Sequence, residues 1–129
     1  MRYPPRRRSD NGLCRRDASL TGEVREFPFG RGEIVDIGGG QVMRMTLQPG
    51  WRWSDHVKPA AGTELCEAPH FQYLISGRIG VRTADGSEFD ARAGDVNWLP
   101  PGHDAWVVGD QPVEAIDWGG AHIWGRAAE

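Results

Sequence analysis

The chain has 129 residues and a formal net charge of −3, so it has the length of one domain and no charge excess that would indicate a nucleic-acid partner. No apolar run approaches the length of a membrane span, and no signal-peptide core follows Met1. The two cysteines, Cys14 and Cys66, lie in unrelated contexts. These features predict a cytoplasmic protein with reduced thiols that binds neither nucleic acid nor membranes.

The first segment, residues 1–22, is predicted to be a disordered or loosely docked extension. It contains the arginine runs Arg6–Arg8 and Arg15–Arg16 and few apolar residues. Such a segment cannot bury enough surface to offset the entropy it loses on ordering. An arm that docks onto a partner subunit or an acidic surface is the alternative interpretation. The folded domain is predicted to span residues 23–129.

From residue 23 onward the sequence is typical of a succession of short strands. Alternating and β-favouring residues predict strands over residues 23–29, 33–37, 41–47, 70–75, 78–83, 87–93, 96–99, 103–108 and 113–118. Met43, Met45 and Leu47 fall on one face of the third strand. The segment Ala84–Gly86 predicts a hairpin, and Gly109–Pro112 predicts another. Because no segment has helical periodicity over ten residues, the predicted fold class is all-β.

The segment from Gly94 to His103 places a histidine at the start of a strand, behind a rigid corner. Gly94 and Asp95 supply turn chemistry. Pro100 and Pro101 end the short strand before them, because proline cannot donate a hydrogen bond to a neighbouring strand. His103 therefore begins a new strand at a fixed place, and a rigidly placed imidazole is suited to binding a metal.

A second segment, from His70 to Arg82, complements the first, and together they resemble the two motifs of the cupin superfamily. The first motif has a Pro-Gly lead, matched by Pro49–Gly50, and an apolar run ending in glycine, matched by Tyr73–Gly77. The second motif is Gly-Asp, four residues and Pro-x-Gly, matched by Gly94–Gly102. The resemblance covers roughly residues 40–118. It implies a single-domain, cupin-type antiparallel β-barrel (a jelly roll) and a homodimer.

The sequence departs from the ligand pattern of that family. A cupin metal is usually held by a His-x-His pair, a glutamate and the histidine of the second motif. The resemblance places His56 and Lys58 at the first two positions, His70 at the glutamate position and Ala105 at the last. His103 lies two residues before Ala105 and is expected to reach the same interior, because residues two apart in a strand face the same side. Any metal must therefore be held by a rearranged set.

The predicted metal ligands are His56, His70 and His103, with Cys66 or Glu64 as a further ligand. Imidazole and thiolate suit transition metals better than calcium or magnesium. The predicted cofactor is therefore a divalent transition metal, zinc or iron first, with nickel, copper and manganese as alternatives. Each residue also has a structural alternative: His56 bonded in a surface loop, His103 completing its turn, and Cys66 as a small buried apolar residue.

Pocket and catalytic roles are predicted for a second group of residues. Trp53 and Trp98 are expected to line the barrel mouth and favour an apolar or aromatic ligand. Arg44 and Lys58 are candidates to meet a carboxylate or orient a substrate.

Gln72 lies two residues after His70, on the same face of the predicted strand. It is expected to contact a ligand or a metal-bound water, and a polar group satisfied within the protein is the alternative. Glu64 or Glu67 is the predicted general base.

Two functions are compatible with these residues. The first is a metal-dependent enzyme, whose ion acts as a Lewis acid or activates water or dioxygen on a small organic molecule inside the barrel. Oxygenase, isomerase, cyclase and lyase chemistry all remain open. The second is a metal-free or vestigial cupin that binds a small ligand as a sensor module, which Lys58 and Ala105 at expected ligand positions favour.

Overall fold

The computed structural model of the chain describes residues 22–37 and 40–119, and these residues form two antiparallel sheets. In chain order they contain β1 (Glu23–Phe27), β2 (Gly30–Ile37), β3 (Gly40–Leu47), α1 (Trp53–His56), α2 (Lys58–Ala61), β4 (His70–Ser76), β5 (Arg78–Thr83), β6 (Glu88–Arg92), β7 (Val96–Leu99), β8 (His103–Val107) and β9 (Val113–Asp117). The all-β prediction is confirmed. Residues 1–21 of the predicted extension, including Cys14, lie outside the described residues.

The two sheets face each other across the core. One has six strands in the order β1-β2-β3-β9-β4-β7, and the other has three in the order β6-β5-β8. The predicted inward face of β3 is confirmed, because Met43, Met45 and Leu47 are all buried in the core cluster. On β4 the alternation places His70 and Gln72 inside. A jelly roll of this kind therefore turns alternate residues of each strand into one shared interior.

One of the two predicted hairpins is correct and the other is wrong. Ala84–Gly86 joins β5 to β6, which pair antiparallel over five residues each. Gly109–Pro112 instead connects two sheets, because β8 pairs with β5 whereas β9 pairs with β3 and β4. Turn residues specify where the chain reverses, but packing decides the partner. β9 lies between β3 and β4 in the larger sheet, where Val113 and Ala115 are buried.

The segment between β3 and β4 contains two short helices. The helices α1 and α2 have four residues each, and Trp53 and Val57 anchor them in the core. The second helix ends at Gly62, whose φ of 76° lies in the left-handed region that glycine adopts most readily. The chain then returns to the barrel at Cys66, which forms a backbone bridge with His103. None of the helices in the described ranges is long and apolar enough to cross a bilayer.

Candidate metal centre

Three buried side chains with metal-binding atoms meet inside the barrel. One ligand atom from each of Cys66, His70 and His103 lies within 4.8 Å of the other two. The Cys66 sulfur is 4.0 Å from Nε2 of His70, and the two imidazole rings stand edge to face with their centroids 5.2 Å apart. Within residues 22–37 and 40–119, these three form the group of histidine, cysteine and carboxylate side chains that could hold a metal ion.

Backbone hydrogen bonds fix the cysteine beside one of the histidines. Cys66 N–H donates to the carbonyl of His103 at 2.8 Å, and His103 N–H donates back to the carbonyl of Cys66 at 3.2 Å. Gly102 N–H also donates to the Cys66 carbonyl, at 2.7 Å. With φ of 89°, Gly102 takes the left-handed conformation that the predicted Pro-Pro-Gly corner requires. The corner therefore positions two of the three side chains.

A buried carboxylate sets the tautomer of His70. Nδ1 of His70 donates to Oδ2 of Asp117, because an ionised carboxylate only accepts. The other oxygen of Asp117 accepts from the backbone N–H of Phe71 at 3.1 Å and of Gly119 at 2.8 Å. The proton on Nδ1 leaves Nε2 of His70 with its lone pair, on the side where Cys66 lies.

His103 is held in the same tautomer by a backbone carbonyl. Its Nδ1 donates to the carbonyl of Pro100 at 2.7 Å, which leaves Nε2 as the nitrogen able to bind a cation. Burial, reinforced by the neighbouring His70, lowers the pKa of His103 to about 4. The ring is therefore neutral near pH 7, which is the form that ligates metals.

The thiol of Cys66 is protonated when no cation is bound. Burial raises its pKa to about 12, since a thiolate is poorly solvated among apolar groups. The side chain is 4 % exposed. A cation at the site would supply the charge that a buried thiolate needs, and binding would release the thiol proton.

The spacing of these atoms suits a small transition-metal ion. In a tetrahedral zinc site, sulfur and nitrogen ligands lie about 2.3 Å and 2.0–2.1 Å from the ion, which separates them by about 3.6 Å. The observed 4.0 Å between Cys66 and His70 exceeds that by a few tenths of an ångström. Side-chain rotation alone can close such a gap for this pair, and all three ligand atoms lie within 4.8 Å of one another.

A narrow cavity adjoins the two histidines. Its volume is about 20 Å³, and it is lined by Met45, Leu47, Trp51, Trp53, His70, Gln72, Ile79, Leu99, His103 and Ala105. The space admits about one water molecule. His103, Ala105 and Trp53 all belong to this lining.

Several predicted site residues lie away from this cavity. Nδ1 of His56 lies 3.1 Å from the backbone nitrogen of Arg52, and its ring packs on Phe29 with the centroids 4.8 Å apart. Hydrogen bonding and packing in its own loop therefore occupy His56, which is not in the metal-binding group. Trp98 is more than half exposed on the outer face of β7, since alternation on a strand turns it away from the interior.

The charged residues predicted for the pocket and for the general base lie at the surface, and three of them are paired. Lys58 donates to Glu64 at 2.8 Å, and that hydrogen bond lowers the pKa of the Glu64 carboxyl. Arg44 pairs with Glu114 at 3.2 Å, and Glu67 is exposed. These four predicted residues do not line the cavity beside the histidines.

Asp117 is the site residue that sequence reasoning missed. It is completely buried and accepts three hydrogen bonds, one of them from His70. A signal was present, because Val113, Ala115 and Asp117 alternate on a predicted strand and the carboxylate falls in the apolar phase. A carboxylate at an inward position requires donors, and a metal-binding histidine is a common one.

Solved structures share this architecture. An ethanolamine utilization protein Q from Salmonella typhimurium superposes with a TM-score of 0.57 at 16% identity, over 89% of this chain and 93% of that one. An oxalate decarboxylase from Lactobacillus farciminis superposes with a TM-score of 0.54 at 21% identity, over 77% of this chain. The chain folds as a cupin.

The likeness extends over only part of the decarboxylases. This chain spans 31% of the Lactobacillus farciminis enzyme and 28% of an oxalate decarboxylase from Bacillus subtilis, which superposes with a TM-score of 0.52 at 24% identity. No protein-family model matches the sequence, and no curated protein matches it. At these identities the likeness establishes the fold, and the function rests on the residues of the site.

Proposed function

We propose that this cupin binds one divalent transition-metal ion through Sγ of Cys66 and Nε2 of His70 and His103. The observation that carries the proposal is the meeting of these three buried atoms, with both imidazoles held as the tautomer that leaves Nε2 for a cation. Zinc and iron are the first candidates, because two imidazoles and a thiolate suit both ions, and copper, nickel and manganese follow.

The ion would retain an open position for a small molecule. Three protein ligands leave a fourth position of a tetrahedral site for water or a substrate. The neighbouring cavity of about 20 Å³ supports a reacting group of water size at that position. We therefore propose that the protein is an enzyme whose ion activates water, dioxygen or one small group of an organic substrate. A reducing, cytoplasmic compartment would keep Cys66 available as a ligand.

Cobalt loading tests the proposed ligand set. We expect the Co²⁺-loaded protein to show an intense thiolate-to-cobalt charge-transfer absorption band, because Cys66 binds the ion as its thiolate. The Cys66→Ser variant should lose this band, and the Cys14→Ser variant, which changes the other cysteine of the chain, should retain it. An unchanged band in Cys66→Ser, or no band in the wild-type protein, would rule out the proposed ligand set.

We propose a second copy of this chain as the protein partner. Five large apolar side chains are exposed on the outer face of the adjacent strands β4 and β7, namely Phe71, Tyr73, Ile75, Val96 and Trp98, and Trp118 packs beside Phe71. Contiguous apolar surface of this kind is typical of interaction sites. A patch without charged side chains is complementary to itself, and a two-fold dimer requires such a surface. The strand β7 also forms one edge of its sheet.

The oligomeric state tests this interface. We expect a dimer by light scattering and a shift to monomer in the Tyr73→Ser/Trp98→Ser double variant, because the substitutions remove the centre of the apolar patch. Phe89→Ser is the matched control, since Phe89 is an exposed aromatic residue on β6 of the other sheet. A double variant that remains dimeric, or a wild-type monomer at high concentration, would exclude this interface.

A further inference from the structure

Two buried polar atoms of the cavity lining have no hydrogen-bond partner among the described residues. They are Nε1 of Trp51 and Oε1 of Gln72, and the two side chains are 2 % and 1 % exposed. Native structures rarely leave a buried donor or acceptor unpaired, and a ligand or an ordered water is the usual explanation. Both residues line the same narrow cavity as His70 and His103.

The amide of Gln72 is oriented by its neighbour on β7. Nε2 of Gln72 donates to Oδ1 of Asn97 at 3.0 Å, and the two residues are register partners on adjacent strands. With its N–H group engaged there, the amide has its carbonyl oxygen left to accept. The indole of Trp51 can only donate. One unpartnered donor and one unpartnered acceptor therefore belong to residues that line the cavity beside the imidazoles.

The size and chemistry of the cavity select its occupant. About 20 Å³ accommodates a single water-sized group, and the rest of the lining is largely apolar. An occupant that satisfies both orphaned atoms must accept from Trp51 and donate to Gln72. Water and hydroxide do both, whereas dioxygen, carbon monoxide and halide ions have no proton to donate.

We propose that Trp51 and Gln72 are positioning residues that hold one water or hydroxide beside the two histidines. This inference rests on the proposed metal site, because that water would be the small molecule at the open position of the ion. Trp51 donates to the oxygen, and Gln72 accepts its O–H. Trp51 and Gln72 together favour a ligand that can donate a hydrogen bond. They disfavour a ligand of equal size that can only accept one.

Fluoride is the probe that separates these two contacts, because it has the size of hydroxide but cannot donate a hydrogen bond. Fluoride would be titrated into the Co²⁺-loaded protein at fixed pH and followed by the cobalt visible absorption. In Gln72→Leu we expect fluoride to bind about fivefold more tightly, since the repelling carbonyl is gone. In Trp51→Phe we expect it to bind about fivefold more weakly, since a donor is gone. Gln41→Leu, whose amide bonds to Asp36 at 3.0 Å on exposed surface, should match the wild type.

Opposite shifts in the two variants would support the proposal, since loss of packing alone would move both in the same direction. Unchanged or weaker fluoride binding in Gln72→Leu, with the cobalt spectrum intact, would overturn it and leave the metal site standing. If Trp51→Phe does not fold, the sign of the Gln72→Leu shift decides alone. A wild-type protein that takes up no cobalt would instead overturn the proposed function, and this inference with it.

Discussion

The His70→Asn variant is expected to bind zinc at least about 100-fold more weakly than the wild-type protein, which exceeds the cost of losing an outer-shell partner. Asparagine places an amide N–H near the position of Nδ1, so it can still donate to the buried Asp117, but it has nothing in place of Nε2. The variant therefore removes the ligand atom while keeping the hydrogen bond that satisfies the carboxylate. Zinc affinity would be measured by competition with a chromophoric chelator.

The same substitution at His56 is the matched control. His56 also hydrogen-bonds locally through Nδ1, but it lies outside the group formed by Cys66, His70 and His103. We expect His56→Asn to bind zinc like the wild type. Zinc at about 1,000 times the wild-type Kd should raise the Tm of the wild type and of His56→Asn by roughly 15 °C, and that of His70→Asn by at most about a third as much. Zinc loss in His56→Asn with retention in His70→Asn would refute this ligand set.

The Asp117→Asn variant is expected to weaken metal binding about 10- to 100-fold, the usual effect of removing a carboxylate behind a ligating histidine. Oδ1 of the side chain accepts from the backbone N–H groups of Phe71 and Gly119, so the new amide nitrogen must face Nδ1 of His70. Two N–H groups cannot bond to each other. The imidazole proton therefore moves to Nε2, where it blocks the metal.

One measurement and one control variant distinguish this tautomer shift from general damage. Nitrogen NMR shifts of His70 should show the proton on Nδ1 in the metal-free wild type and on Nε2 in Asp117→Asn. Asp95→Asn provides the control, because Asp95 also accepts from a backbone N–H, that of Arg92 at 2.8 Å, but on an exposed turn. Equal metal affinities for Asp117→Asn and the wild type would show that the carboxylate has no part in the site.

Local patterns of the sequence predict most of the strands because burial on one face imposes a period of two residues. The strands β5 and β7 begin and end at the predicted residues, and the inward face of β3 follows from its three apolar positions. Local patterns do not predict which sheet a strand joins. Nothing within Gly109–Pro112 distinguishes a hairpin from a crossing between sheets, because the partners of β9 are residues 43–47 and 72–76, far away in the sequence.

Whether a predicted ligand lies at the site depends on the secondary structure that holds it. His70 and His103 begin strands, so the alternation of β4 and β8 determines that both point inward. His56 lies at the end of a short helix rather than on a strand, so the spacing from Pro49–Gly50 does not determine the direction of its side chain. Cys66 reaches the site through its backbone bridge to His103, a long-range contact that no local pattern encodes.

Polar residues in the apolar phase of a strand are the most informative signals in this chain. Gln72 and Asp117 both occupy such positions, and they are register partners on β4 and β9. Burying an amide or a carboxylate destabilises the fold unless hydrogen-bond donors or acceptors surround it. Each of these residues therefore indicates a polar site within the core. Here both lie next to the two histidines.

A crystal structure of the zinc-loaded protein, with anomalous data collected at the zinc absorption edge, would locate the ion. We expect one strong peak inside the barrel, about 2.3 Å from Sγ of Cys66 and 2.0–2.1 Å from Nε2 of His70 and His103. No peak within the barrel, or a peak beside His56 with these three side chains uncoordinated, would contradict it.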